Sequence, residues 1–465
     1  MRRERDELGE VLLPDEALYG IQSYRAAENF ALDFRPVNPR LVAAMITVKK
    51  AAALTYRKLS GGAGAGTGAG GVLGEAEKYD AIAAACDRLL AGEAAENFIT
   101  GALQGGAGTS LNMNVNEVIA NLALVILGRA PGSYGVIHPL DDVNRGQSTN
   151  DVYPTALRIA AVALLRELSE ACARLQEALQ RKESEFESVK KLGRTELMDA
   201  VPITLGEEFG AFAQAIGRDR WRLYKAEERL RQINLGGTAV GVSGNAGRRY
   251  RYAVVEELRA LTGMGLAAAE YPMDITQNCD VFVEVSGLLK ALAVNLIKIA
   301  NDLRLMNSGP RGGIGEISLP ALQRGSTIMP GKVNPVIPEM VIQAAIRVEA
   351  NDYAVTAAAS RGEFELNSFT PLIADAILES LGLLCRAVPL FRSKCVEGIA
   401  ARRERALALL EDSLAFAASY IPLLGYDEVA RLIGEEGGDP ARLRRALEER
   451  AAPLRGAPPG NRLQT

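Results

Sequence analysis

The feature that most constrains the fold is a run of apolar residues at helical spacing from Pro154 to about Val189. The apolar positions recur every three or four residues and are Leu157, Ala161, Leu164, Leu168, Cys172, Leu175 and Leu179. At 1.5 Å per residue, a helix of roughly 36 residues is about 54 Å long. A helix of this length is typical of a helix bundle or of a core between subunits.

Three further long helices follow in the sequence. The segment from about Val281 to Met306 is apolar on most sides, so it requires burial on all sides. Two more helices are predicted over about 335–360 and 371–388, whereas the alternation typical of strands is sparse. We therefore expect an all-α fold built on a bundle of long helices. Because these helices present more apolar surface than one chain easily covers, we also expect an oligomer.

The sequence suggests three domains. We expect a mainly helical domain over residues 1–145, a central long-helix domain over 146–400 and a small helical domain over 401–465, where Arg, Glu and Leu become frequent. The glycine-rich run 61–71 has the spacing of a dinucleotide-binding loop, but a predicted helix rather than a strand precedes it. We interpret this run as a flexible linker between helices.

Bulk properties exclude several functional classes. Hydrophobic residues make up 48% and charged residues 24% of the 465 residues, as in ordinary globular proteins. The net charge of −4 gives no basic surface for nucleic acid. No uncharged apolar run reaches the length of a membrane span, and the charged start over residues 1–6 does not suit a signal peptide. We expect a cytoplasmic protein with no nucleic-acid or membrane partner.

Cysteine and histidine usage narrows the chemistry. The five cysteines are scattered without a CxxC pair, which argues against a disulfide framework or a thiolate metal site. The single histidine, His138, excludes a zinc site with several histidine ligands. Acid–base chemistry in this chain must therefore rest mainly on hydroxyls, carboxylates or lysine.

The segment 325–335 reads Gly-Ser-Thr-Ile-Met-Pro-Gly-Lys-Val-Asn-Pro and predicts a loop. Its two glycines and two prolines interrupt both helical and strand periodicity. The loop carries two hydroxyls, one cation and one amide, on Ser326, Thr327, Lys332 and Asn334. This set suits a mobile lid that closes over an anionic substrate and brings a base with it.

Three other polar clusters interrupt the helical pattern, over residues 105–114, 144–151 and 193–199. Their candidate donors are Thr109, Ser110, Ser148, Thr149, Asn150 and Thr195. Each cluster alone could be a capping or turn segment, and Asp151 could simply cap a helix. Together with the 325–335 loop, four clusters rich in neutral donors favour a single dicarboxylate pocket, since such donors bind carboxylates without burying many cations.

The segment 325–335 resembles, almost letter for letter, the signature loop of the aspartase/fumarase superfamily. The other three clusters, the segment 18–30 and the segment 335–339 are also similar to that superfamily, so the resemblance covers nearly the whole chain. The sequence of these segments is more similar to that of the aspartate ammonia-lyases than to that of the fumarases. The resemblance implies a mostly helical homotetramer whose central bundle comes from four subunits and whose active sites each draw residues from three. The chemistry that it implies needs no electron-sink cofactor, and the sequence contains no nucleotide or metal motif, so we expect no cofactor and no metal.

The resemblance also implies roles for the polar residues, with a small dicarboxylate as substrate. Ser326 and Thr327 would form the catalytic pair, with Ser326 as the general base that takes a proton from carbon. That carbon carries one of the two substrate carboxylates. This carboxylate would be bound by the hydroxyls of Thr109, Ser148, Thr149 and Thr327, with Ser110 beside them. Lys332 and Asn334 would hold the other carboxylate, and Asn150 and Thr195 would lie by the amino group. His138 would belong to a second, non-catalytic anion site or serve packing.

One residue departs from the family pattern. Glu196 stands where family members usually carry His or Gln. A carboxylate there could pair with a substrate ammonium or repel a substrate carboxylate. Two functions therefore stay open: removal of ammonia from L-aspartate to give fumarate, by anti elimination through an aci-carboxylate, or the same mechanism with a substituted amine, a nitro group or a hydroxyl as leaving group. The intact 325–335 loop argues against a third possibility, a helical scaffold without activity.

Overall fold

The computed structural model describes residues 1–32, 35–60, 74–244 and 246–454. Over these ranges the chain is mainly α-helical, which confirms the predicted fold class. The predicted linker over 61–71 lies outside the described residues. The helices are α1 (Ile21–Asn29), α2 (Pro39–Ser60), α3 (Glu75–Leu90), α4 (Thr109–Ile126), α5 (Thr149–Glu185), α6 (Leu205–Leu230), α7 (Arg248–Thr262), α8 (Pro272–Gln277), α9 (Asp280–Met306), α10 (Val336–Ala359), α11 (Thr370–Lys394), α12 (Arg403–Glu411), α13 (Ile421–Leu424), α14 (Tyr426–Glu435) and α15 (Pro440–Ala451).

Short strands form four two-stranded sheets within the described ranges. The strands are β1 (Arg2–Asp6), β2 (Gly9–Leu13), β3 (Lys190–Thr195), β4 (Met198–Thr204), β5 (Gln232–Ile233), β6 (Ala267–Ala268), β7 (Ile317–Ser318) and β8 (Ala400–Ala401). The pairs β1–β2, β3–β4 and β7–β8 are antiparallel, and β5–β6 is parallel. Of these, the β3–β4 hairpin and the β7–β8 pair position candidate site residues.

The chain divides into two compact units. The first unit comprises Met1–Glu170, Asp219–Val294 and Ala344–Arg386. The second comprises Ala171–Arg218, Asn295–Gln343 and the chain from Ala387 onward. The domain boundaries expected from the sequence lie at 145 and 400, and they stay predictions.

The longest helix starts earlier than its apolar pattern indicates. α5 begins at Thr149 and contains Pro154, which we expected at its start. Pro154 has no N–H to donate to the carbonyl of Asn150, one turn earlier. The side-chain amide of Asn234 donates to that carbonyl instead, at 3.0 Å. A donor from elsewhere in the first unit thus lets the helix continue through a proline.

The other long helices lie close to their predicted ranges. α9 and α10 begin and end within one residue of the sequence-based limits. α11 continues to Lys394, beyond the expected end at residue 388, because Pro389 is accommodated inside the helix. Among the described residues, no single helix is long and apolar enough to cross a membrane; the bent pair Arg403–Glu411 and Ala415–Leu424 meets that test only when its two parts are combined.

The first unit has its core around α4, in which almost every residue from Leu111 to Leu124 is buried. Three buried polar side chains on this helix, Asn114, Glu117 and Asn121, pair with distant backbone groups. The Glu117 carboxylate accepts hydrogen bonds from the N–H groups of Gly20, Gln22 and Ser23 at 2.9–3.0 Å. These donors belong to the first turn of α1, so Glu117 satisfies N–H groups that a helix start leaves without partners. The second unit contains an apolar cluster formed by Phe416, Ala417, Val429, Leu432, Leu443 and Leu447.

Candidate active site

The first polar cluster leads directly into α4. Three successive residues, Gly106, Ala107 and Gly108, have positive φ angles of 73°, 55° and 93°. A side chain at Gly108 would overlap the ring of Tyr153, so only glycine fits there. This tight turn places Thr109 at the exposed start of α4, where its hydroxyl donates to the Gly106 carbonyl at 2.7 Å. Ser110 follows on the helix and is half-buried.

The second cluster forms the N-terminus of α5. The Ser148 hydroxyl accepts from the N–H of Asn150 at 3.2 Å, and the Asp151 carboxylate accepts from the N–H of Ser148 at 3.0 Å. These reciprocal bonds cap the helix, as expected for Asp151. The same carboxylate accepts from the N–H groups of Gly236 and Thr238, at 3.0 and 2.9 Å. Burial raises the pKa of Asp151 to about 6, against the lowering effect of these backbone donors.

A hydrogen bond joins the first two clusters inside the first unit. The side-chain amide of Asn112, on α4, donates to the Thr149 hydroxyl oxygen at 3.1 Å. Since this bond occupies a lone pair of the hydroxyl, Thr149 is left to donate its own proton. A hydroxyl held in this way is a directed donor for an anion.

Beneath this contact lies a buried lysine that the sequence analysis missed. The Lys49 ammonium donates to the side-chain oxygen Oδ1 of Asn144 at 2.7 Å, and the same oxygen accepts from the side chains of Asn112 and Asn116 at 3.2 Å. Burial lowers the pKa of Lys49 to about 7, opposed by the negative charge of Asp151. The sequence signal that could have predicted this buried lysine is a charged residue within the otherwise apolar helical pattern of α2.

Asn150 already has partners within the protein. Its side-chain amide nitrogen donates to the Ala239 carbonyl at 2.8 Å. The remaining acceptor, its side-chain oxygen, suits a substrate ammonium better than a carboxylate.

The third cluster forms the tip of the β3–β4 hairpin. Its residue types had indicated only a polar stretch between helices. Thr195 pairs with Met198, and the two residues between them, Glu196 and Leu197, have φ angles of 54° and 64°. Such a turn normally takes Asn and Gly, because both central residues are left-handed. Thr195 and Glu196 are exposed, and Leu197 and Met198 keep 70% and 69% of their surface accessible.

The fourth cluster is the predicted loop, which runs from the end of β7 to the start of α10. The Ser326 hydroxyl oxygen accepts from the N–H groups of Ile328 and Met329, at 3.2 and 2.9 Å. Two N–H donors aimed at one oxygen stabilise negative charge on it. This geometry favours ionisation of the Ser326 hydroxyl, as a serine base requires.

The rest of the loop is organised around Gly325. Its N–H donates to the Lys332 carbonyl, and its own carbonyl accepts from the side chain of Asn334, both at 2.8 Å. A Cβ on Gly325 would approach the Lys332 carbonyl oxygen to 2.6 Å. The Lys332 side chain is exposed, and Ser326, Thr327 and Lys332 line a cavity of about 700 Å³.

His138 caps a short π-helical turn over Pro139–Val143. Its Nδ1 accepts from the N–H groups of Leu140 and Asp141, at 3.2 and 3.1 Å. Its ring also meets Tyr134 edge-on, with 5.9 Å between ring centres. These contacts fit the packing role, and the second anion site stays a prediction.

Within the first unit, the bond between Asn112 and Thr149 joins the first two clusters. The candidate residues otherwise divide between the two units. Thr109, Ser110, Ser148, Thr149 and Asn150 belong to the first unit. Thr195, Glu196, Ser326, Thr327, Lys332 and Asn334 belong to the second. Among the described residues, no group of three or more His, Cys, Asp or Glu side chains is arranged to hold a metal ion.

Comparisons with known proteins give the family. A family profile described as lyase matches residues 9–349. The chain is 46% identical over 434 residues to aspartate ammonia-lyase from Pseudomonas fluorescens, covering 93% of this chain and 88% of the relative. It is 42% identical over 437 residues to aspartate ammonia-lyase from Bacillus subtilis, covering 93% and 89%.

Solved structures agree with this similarity. A fumarate lyase:delta crystallin from Brucella melitensis superposes with a TM-score of 0.89 at 46% identity, covering 98% of this chain and all of the other. A class II fumarase from Schistosoma mansoni superposes with a TM-score of 0.89 at 29% identity, covering 99% of this chain and all of the other. The chain therefore belongs to this lyase family, the aspartase/fumarase superfamily indicated by its four polar clusters.

Proposed function

We propose that this protein is a carbon–nitrogen lyase that removes ammonia from L-aspartate to give fumarate. The similarity to aspartate ammonia-lyases extends along most of the chain and supports this reaction. The observation that carries the mechanism is the pair of backbone donors, Ile328 and Met329, on the Ser326 hydroxyl oxygen. A serine in this position has the environment that a base needs, in a chain whose single histidine caps a turn.

In the proposed first step, the Ser326 alkoxide removes a proton from the carbon next to one carboxylate. The electron pair of the broken C–H bond moves into that carboxylate, which becomes an aci-carboxylate with two negative charges. Stabilisation of this charge is needed only in the transition state and the intermediate, so preorganised donors lower the barrier. The proposed donors are the hydroxyls of Thr109, Ser148, Thr149 and Thr327, with Ser110 beside them. Thr149 is suited to the role because Asn112 already occupies a lone pair of its oxygen.

In the proposed second step, the electron pair returns to form the carbon–carbon double bond, and the carbon–nitrogen bond breaks. Anti geometry places the base and the leaving amine on opposite faces of the substrate. Lys332 and Asn334 are proposed to hold the other carboxylate. The amino group is proposed to lie by the side-chain oxygen of Asn150 and the hydroxyl of Thr195. Glu196 is proposed to form an ion pair with the substrate ammonium. The ammonium nitrogen takes the electron pair of the carbon–nitrogen bond and leaves as neutral ammonia. The proton taken from carbon stays on the Ser326 hydroxyl until it passes to water or ammonia, which restores the alkoxide.

We further propose a cytoplasmic homotetramer whose active sites are completed by residues from different subunits. Several large apolar side chains of the first unit are exposed in the single chain, including Trp221 at 65%, Ile346 at 52% and Tyr353 at 77%. Large exposed apolar residues on long helices favour contact with further copies of the chain. The division into an N-terminal, a central and a C-terminal domain is part of the same proposal.

The test is the ultraviolet absorbance of fumarate formed from a panel of substituted succinates. The panel contains L-aspartate, an N-substituted aspartate, nitrosuccinate and L-malate. The proposal expects the highest kcat/KM for L-aspartate. A higher value for another member would support the same mechanism with that leaving group, as Glu196 leaves open. Absence of fumarate from every member would contradict both.

A further inference from the structure

Four charged side chains form a buried, neutral cluster in the second unit. The Lys191 ammonium lies 2.7 Å from the Glu316 carboxylate and 2.5 Å from that of Glu208. Arg194 lies 3.2 Å from the same Glu316 oxygen as Lys191. The side chains of Lys191 and Glu316 are only 3% and 1% exposed. Two cations and two carboxylates balance, which is what burial of charge requires.

The main chain of Glu316 is also held on both sides. Its N–H donates to the Met306 carbonyl, and its carbonyl accepts from the N–H of Arg402, both at 2.9 Å. The next two residues form β7, which pairs with β8. Leu319 then donates its N–H to the side chain of Asn307 at 3.1 Å. The chain is therefore anchored at Glu316 shortly before it enters the loop that carries Ser326.

The carboxylate of Glu316 anchors the β3–β4 hairpin as well. Arg194, its partner, directly precedes Thr195 at the hairpin tip. The strand pairing is irregular between Leu192 and Arg194, so the backbone ladder alone defines the tip poorly. The left-handed Glu196–Leu197 turn adds strain that surrounding contacts must overcome.

We infer that Glu316 is a positioning residue that holds the Thr195–Glu196 tip and the base of the Ser326 loop in one fixed arrangement. The inference rests on the proposed function, in which both segments serve the same elimination. Glu316 touches neither substrate nor base in this scheme. Its carboxylate acts on the hairpin through Arg194. Its ion pair with the buried Lys191 fixes the main chain at residue 316, which leads into the loop.

The test compares Glu316→Gln with Glu208→Gln. Both variants remove one carboxylate from the same Lys191 ammonium, but only Glu316 also contacts Arg194 and leads into the loop. We expect Glu316→Gln to lower kcat for L-aspartate roughly 10- to 100-fold, since small misplacements of reacting groups have effects of this size. We expect Glu208→Gln to keep kcat within about 3-fold, as for a change that alters only charge balance.

Hydrogen–deuterium exchange gives a readout that does not depend on activity. Glu316→Gln should raise exchange in both segments, 193–199 and 320–335, whereas Glu208→Gln should leave exchange in 320–335 unchanged. Equal effects of the two variants on exchange, or a wild-type kcat in Glu316→Gln, would overturn the inference. Wild-type protein that forms no fumarate would refute the proposed function, and the exchange comparison would still decide the role of Glu316.

A second variant covers the case in which Glu316→Gln fails to fold. Arg194→Gln removes the contact between the hairpin and Glu316, together with a 3.4 Å bond to the Leu192 carbonyl, and leaves Lys191 paired with both carboxylates. The inference expects it to lower kcat and to raise exchange in 193–199. Normal kcat and normal exchange in Arg194→Gln would overturn the inference.

Discussion

At the scale of single residues, hydrogen-bond partners separate the structural roles of the motif residues from their proposed chemical roles. Asp151 caps α5 and also binds two N–H groups from a segment more than 80 residues away. Asn334 closes the loop onto Gly325. Ser326, in contrast, receives two donors on its hydroxyl oxygen while its side chain lines an open cavity. The residue proposed as base thus has two N–H donors on its oxygen and is reachable from the cavity.

Ser326→Ala tests the base. We expect elimination from L-aspartate to fall by at least ~10²- to 10⁴-fold, because a general base contributes about that much. Binding of L-aspartate, measured by calorimetry, should change little. Ser308→Ala is the matched control, since Ser308 is also a loop serine whose hydroxyl accepts an N–H, from Ile314 at 3.0 Å. Wild-type turnover in Ser326→Ala would place the base elsewhere.

Glu196→Gln tests whether Glu196 recognises the leaving group. If an ionised Glu196 attracts the substrate ammonium, the variant should raise KM for L-aspartate roughly ten-fold or more and keep some activity, because one charged hydrogen bond is lost. Asp199→Asn removes another exposed carboxylate from the same hairpin and should leave KM unchanged. Kinetics that are identical in wild type and Glu196→Gln would exclude a role for Glu196 in recognising the leaving group.

Lys49 predicts a pH dependence of stability. Its pKa is about 7 in the folded chain against an ordinary value of 10.5, so between these values the folded state binds fewer protons than the unfolded state. Burial of the ammonium therefore lowers the free energy of unfolding most at and below pH 7, and this unfavourable contribution shrinks to zero as the pH rises from 7 to 10.5. The variant Lys49→Met lacks this contribution. The stability of wild type minus that of Lys49→Met should increase between pH 7.5 and 10.

Urea unfolding at one fixed protein concentration measures this difference. Lys50→Met is the matched control, because Lys50 is the next residue on α2 but is partly exposed and pairs with Asp87. A difference between wild type and Lys49→Met that stays constant with pH would contradict the lowered pKa of Lys49 in the folded chain.

At the scale of elements, the ends of helices and hairpins position the polar groups. α4 begins after a left-handed turn, and α5 begins after Ser148, whose hydroxyl caps it. Hydroxyls and backbone N–H groups therefore lie together at each of these two helix N-termini. Helix N-termini favour carboxylates. The β3–β4 tip and the Ser326 loop are the corresponding elements of the second unit, and Glu316 lies between them in the network of contacts.

Gly108→Ala tests the turn that leads into α4. The substitution places a side chain at φ +93° and against the Tyr153 ring, so it adds overlap to backbone strain. Gly128→Ala, at the other end of α4, has φ +70° but no atom within 4 Å of the new Cβ. We expect Gly128→Ala to lower the free energy of unfolding by about 1–2 kcal/mol through strain alone. Gly108→Ala should cost about 1–3 kcal/mol more through overpacking and should lower activity. Equal costs in urea unfolding would contradict the contact with Tyr153.

At the scale of the whole molecule, exposed apolar side chains on long helices argue for assembly. The proposed homotetramer has a mass of about 200 kDa, four times the 49.7 kDa of one chain. Light scattering across a dilution series should give this mass, and activity should fall where the tetramer dissociates, because the proposed sites need several subunits. An active monomer would contradict both the burial argument and the shared sites.

The sequence by itself determined the features that depend on neighbours along the chain. Apolar spacing predicted α9 and α10 almost to the residue, and glycine and proline spacing predicted the 325–335 loop. These signals are local, because helix periodicity and backbone restriction act over a few residues. The β3–β4 hairpin was missed because its turn, Glu196–Leu197, lacks the Asn-Gly type of signal.

Tertiary structure decided which polar groups meet. The contacts of Asn112 with Thr149, of Asp151 with Gly236, and of Lys191 with Glu316 join residues 37, 85 and 125 positions apart. No local pattern records such pairings, because they depend on which elements pack together and on the need of every buried polar group for a partner. The same requirement explains why α5 continues through Pro154, where Asn234 supplies the missing donor. Residue types at short spacing therefore indicated the chemistry, and packing selected the partners that orient it.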